Sequence, residues 1–147
     1  MVPAPWAGVI PQLILAAAFE ESFMMMQLSH YPAAIAQAAQ RVNEIDSQLM
    51  AVQQHVNRME GNADRVAAFE PDLKNDNQRR ARRFEVLLTN QEYQKAVDTS
   101  IRLTAEKANA LAHLEYLRNQ FSVAKLEARL AIAQQLTDFE SRELVGL

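Results

Sequence analysis

Four arginines within five positions, Arg79, Arg80, Arg82 and Arg83, close a polar run that begins at Lys74 and passes through Asn75, Asp76, Asn77 and Gln78. A guanidinium presents a planar fork of donors that matches two phosphate or carboxylate oxygens at once. Asparagine and glutamine can supplement such contacts on a nucleic-acid backbone or on base edges. Lys74, Arg79, Arg80, Arg82 and Arg83 are therefore the candidate nucleic-acid-binding residues. If a helix starts near Asp76, cations in its first turn oppose the helix dipole by about 0.3–1 kcal/mol each, which favours an external anion as their partner. The competing reading is that Glu70, Asp72, Asp76 or Glu85 neutralises them, or that acids of another subunit do. No aromatic residue interleaves the cluster, so no platform for stacking bases is visible.

Other chemistry-bearing residues are sparse. His30, His55 and His113 are the three histidines, and none stands at a metal-ligand spacing from a second histidine or a carboxylate. Cysteine is absent, which removes disulfides and thiolate metal sites. Glu20 and Glu21 are adjacent carboxylates, but successive helical positions point about 100° apart, so they do not form an acid–base dyad. Three glycines cannot supply a phosphate-cradling loop. These observations predict no catalytic residue, no cofactor and no enzyme activity. The run Phe23-Met24-Met25-Met26 offers an adaptable apolar surface that suits a core or a subunit interface.

The elements that must carry these residues are helical. Ile35, Ala38, Val42, Ile45, Leu49, Val52, Val56, Met59, Ala63 and Val66 recur at alternating intervals of three and four, with polar residues between them. That is the narrow seam of a coiled-coil helix over 33–68, with Pro32 suited to its first turn. A second long helix is expected over 91–139, opened by a capping box of Thr89 and Glu92. Its apolar stripe reads Val97, Ile101, Thr104, Ala108, Leu111, Leu114, Leu117, Phe121, Val123, Leu126, Leu130, Ala133 and Leu136. Leu103, Ala110, Ala124 and Ile132 widen that face beyond a two-helix seam. Between the two, 69–90 holds a turn and a short basic helix capped by Asp76, with Phe84, Leu87 and Leu88 as its buried residues. Residues 140–147 read as a tail.

At ~1.5 Å per residue the two long helices span ~54 and ~73 Å. Folded back on each other, they place Val66 near Glu92 and Ile35 near Ala124. The expected fold is all-α: an elongated antiparallel coiled-coil helical hairpin with an amino-terminal helix over 12–29 and a short helix at the hairpin tip. The amino-terminal helix would continue past a kink at Pro32 and lay Leu13, Ala17 and Met24 on the far end of the long helix. Residues 1–11, with Pro3, Pro5 and Pro11, form an arm whose Trp6, Val9 and Ile10 could touch an interface. No basic start precedes the apolar stretch, and the run Leu13–Phe19 is too short for a membrane span, so neither a signal peptide nor a membrane segment is expected.

Charge is uneven. The chain carries a net −3, with the basic residues concentrated after position 73. Such a balance exerts no general pull on nucleic acid or anionic lipid, and any such binding must be local. The expected protein is a cytoplasmic, non-enzymatic, self-associating coiled coil, a dimer in the first instance, that holds DNA or RNA phosphates at its arginine-rich tip. The alternative is a scaffold or adaptor whose ligand is a protein partner helix.

Overall fold

Two asparagine side chains decide where two of the helices begin. The computed structural model describes residues 27–146 and is all-helical there, with three α-helices and one 3-10 turn, Leu28–His30. Helix α1 spans Tyr31–Phe69, α2 spans Asp76–Thr89 and α3 spans Gln91–Leu144. The Asn75 side chain accepts from the Gln78 amide and caps α2, leaving Asp76 in the first turn rather than at the cap expected for it. Asn90 does the same for α3 by accepting from the amides of Glu92 and Tyr93. The anticipated Thr89–Glu92 capping box does not form. The Thr89 hydroxyl instead donates to the carbonyls of Glu85 and Val86 at the end of α2.

Pro32 sits in the first turn of α1 as its fixed φ requires. Helix α3 runs five residues past the expected Phe139 and ends in a turn at Gly146, whose φ of 72° lies in the left-handed region that favours glycine. Its amide reaches back to the Glu143 carbonyl. The expected arm over 1–11 and most of the expected helix over 12–29, including Leu13, Ala17 and Met24, lie outside the described residues.

The chain divides into two compact units. The first comprises residues 37–114. Its core is Ile45, Leu49 and Leu103, with Val52 and Ala110 packed against them. Ion pairs and hydrogen bonds join α1 to α3 at Asp46–Lys107, Glu60–Tyr93 and His55–Glu92, so residue numbers rise along one helix as they fall along the other. The expected register is off by more than a turn. Glu92 meets His55 rather than the neighbourhood of Val66, because the last turns of α1 face α2 instead of α3. There the buried seam passes from Met59 and Ala63 to Ala67, four residues apart each time, and Val66 is exposed. A straight helix of 3.6 residues per turn drifts in this direction against a strict heptad.

On α3 the seam also differs from the expected stripe. Leu114 and Leu117 are buried as expected, but Ala96 and Leu103 are buried in place of Ile101, which is 65% exposed, and Leu111, which is exposed too. On α2 only Leu87 of the three expected core residues is buried; Phe84 and Leu88 face solvent. The second unit comprises residues 27–36 and 115–146 among those described. Within it the Tyr31 ring stacks on Phe121 with centroids 5.3 Å apart, and the Lys125 ammonium lies over the same Phe121 ring. From Arg129 to Gly146 every residue of this unit is exposed. No helix among the described residues is long and apolar enough to cross a membrane.

Candidate functional site

Helix α2 carries all four arginines of the basic cluster; the last turns of α1 supply acids to Arg83, and Glu70, the residue just after α1, supplies one to Arg82. Arg82 donates from its Nε to Glu70 at 2.8 Å and from a terminal nitrogen to Glu85 at 3.0 Å. The hydrogen bond to Glu70 first, and that to Glu85 second, hold its guanidinium above the ordinary arginine value and thus firmly charged. Arg83 donates to Asp64 and lies 3.8 Å from Glu60. These contacts tie α2 to α1, so Arg82 and Arg83 are engaged within the molecule. Arg79 lies 3.7 Å from Asp76, one turn back on its own helix, where both groups are well exposed and the pair is weak.

Arg80 and Lys74 are different. Neither side chain has a carboxylate within 4.0 Å among the described residues, and both are exposed. The Lys74 amide donates to the Gln78 side chain, which orders the turn without using the lysine charge. Arg79, Arg80 and Arg83, with Asp64, Ala67 and Ala68, line a small open cavity of about 140 Å³. Its lining mixes three guanidinium groups with one carboxylate. Between residues 60 and 90 six acids balance six cations, so this region has no net charge to steer an anionic polymer.

Sequence reasoning missed a second concavity. Ala51, Val52, His55, Glu92, Lys95, Ala96 and Thr99 line a wide groove of about 360 Å³ between α1 and α3. At its rim the His55 Nε2 and the Glu92 carboxylate meet at 2.9 Å. The two residues are 37 positions apart and share no local motif, so only the pairing of the helices brings them together. Close by, Tyr93 donates its hydroxyl to Glu60 at 3.0 Å. That hydrogen bond, aided by partial burial, raises the phenol above its usual value. No group of three or more His, Cys, Asp or Glu side chains able to hold a metal occurs among the described residues.

What the fold and these sites define, among the described residues, is an all-helical protein whose polar clusters chiefly fasten helix to helix. No family model, no curated protein and no solved structure matches the chain.

Proposed function

We propose that this chain is a non-enzymatic scaffold, built on an antiparallel coiled-coil hairpin of α1 and α3, that works by helix-to-helix association and associates first with itself. One observation carries the reading: Leu126, Leu130, Ile132 and Leu136 are all about 60% exposed along a stretch of α3 where no residue after Ala128 is covered. Most helical stability in proteins comes from packing an apolar face, and a helix bare around its whole circumference lacks that support. Exposed apolar surface of this kind marks an interface. Light scattering from about 1 to 100 µM protein tests the reading. A mass near twice the 16.6 kDa of the chain supports it, and a monomer throughout the range refutes it.

A second reading rests on Lys74 and Arg80, whose charges have no acid beside them: the α2 region holds nucleic-acid phosphates. Arg82 and Arg83 drop out of that set because Glu70, Glu85 and Asp64 already engage them. Binding of a short oligonucleotide would then fall steeply with salt as counterions are released, with a slope set by about two or three contacts. Loss of binding in the Lys74→Ala, Arg80→Ala variant would support it, and no retention at low salt by the wild type would exclude it.

A further inference from the structure

We infer that the occupant of the bare α3 face is the same face of a second copy, lying antiparallel, with its twofold axis between Gln134 and Gln135; this deepens the self-association proposed above and rests on it. Leu126, Arg129, Ala133, Leu136, Glu140 and Glu143 follow at alternating intervals of three and four, so they form one line along the helix. Ile132 flanks the line on one side and Leu130 on the other. The line lies well round the helix from Leu117, Phe121 and Ala124, the residues of α3 that are covered within this unit. It is therefore a different surface.

Its charges are ordered. Lys125 and Arg129 stand at one end, Glu140 and Glu143 at the other, and none of the four has an oppositely charged side chain within 4.0 Å among the described residues. Antiparallel seams pair unlike positions of the repeat, so here residue numbers facing each other add to a constant. Setting Ala133 opposite Leu136 of the second copy places Arg129 opposite Glu140, and twofold symmetry makes each contact twice. Ile132 then shares a flank with its own counterpart, ~7.5 Å away along the axis at ~1.5 Å per residue. A parallel, in-register pair would instead set Arg129 against Arg129 and Glu140 against Glu140 in the seam, where like charges are costly. The first 26 residues contain no lysine or arginine, so they offer no cationic side chain to Glu140 and Glu143.

Charge reversal in the full-length chain tests the register. Arg129→Glu alone and Glu140→Arg alone each convert two attractions into two repulsions. Each should weaken self-association about tenfold or more, since even surface-strength pairs of a few tenths to 1 kcal/mol, reversed in sign at two places, reach that factor and seam placement adds to it. A one-to-one mixture of the two variants should recover a heterodimer at wild-type strength, since both contacts become attractive again. Because the chain has no cysteine, Ile132→Cys should also be joined to its counterpart by a short bis-maleimide, whereas Gln135→Cys, on the other side of the helix, should not. Circular dichroism at a concentration where each variant is associated checks that it still folds. A wild-type dimer whose mixed charge variants stay weak, and whose Ile132→Cys chains do not join, overturns this register while leaving self-association standing. A monomeric wild type overturns both.

Discussion

Leu103→Ala is the sharpest test of how α1 meets α3. Leu103 is 2% exposed and packs on Ile45 and Leu49. Alanine lacks three of leucine's carbons, which at ~0.8 kcal/mol each amounts to ~2.4 kcal/mol of lost transfer free energy. A cavity that the helices cannot fully close raises the expected loss to about 3 kcal/mol, inside the usual Leu→Ala range. With an unfolding entropy of ~2.1 cal/mol/K per residue, that corresponds to a fall of about 10 °C in Tm. The assay is thermal and urea unfolding followed by helical circular dichroism, at one fixed concentration because association adds to apparent stability. Ile101→Ala is the control, two positions away and 65% exposed. It should change stability by less than ~0.5 kcal/mol, and alanine's helix propensity pushes it toward gain. A loss below about 1 kcal/mol for Leu103→Ala, or a larger one for Ile101→Ala, would refute the packing of α3 on Ile45 and Leu49.

Three further outcomes follow from local contacts. Asn90→Ala should cost about 1 kcal/mol in urea unfolding and Thr89→Ala much less, because the amides of Glu92 and Tyr93 are satisfied by Asn90 alone. Tyr93→Phe should cost about 0.5–1 kcal/mol near neutral pH through the lost bond to Glu60. The raised Tyr93 value means that the folded chain holds the phenolic proton more tightly than the unfolded one. That contribution is complete below about pH 10 and is lost as pH climbs through the raised value, so wild-type stability falls there and the Tyr93→Phe variant lacks this component. Arg83→Ala should speed amide hydrogen exchange across α2, and Arg80→Ala should leave it unchanged, since only Arg83 reaches Asp64 and Glu60.

The α1 helix was readable from its residues because polar side chains separate nearly every seam position. Ala38, Val42, Ile45, Leu49, Met59 and Ala63 are all buried as the spacing requires. On α3 the same reading picked Ile101 over Leu103. Both stand on a face so broad in apolar residues that periodicity cannot choose between them; the choice is made by Ile45 and Leu49, far upstream in the chain. The start of α3 at Gln91 was legible, but the capping residues of α2 and α3 were each misplaced by a single position for a simpler reason. Asn75 beside Asp76, and Thr89 beside Asn90, are neighbours with similar capping ability, and only backbone geometry at the junction separates them. The arginine cluster was plain in the sequence, as were Glu70 and Glu85 as its neutralisers. That Asp64 and Glu60 also reach it was not, because those acids lie several helical turns upstream and arrive only once α1 and α2 are packed.

The cross-helix contacts also imply an order of assembly. Arg82 and Glu70 are 12 residues apart, Arg83 and Asp64 19, Tyr93 and Glu60 33, and Lys107 and Asp46 61. Loop entropy makes the widest of these closures about 1.4 kcal/mol costlier than the narrowest when each forms alone. These separations predict that folding of residues 37–114 nucleates around Arg82 and Glu70 and zips outward, each closed contact shortening the next loop. Kinetically, Arg82→Ala should slow refolding, whereas Lys107→Ala should chiefly hasten unfolding, and the reverse pattern would reject a zipper that starts at that end.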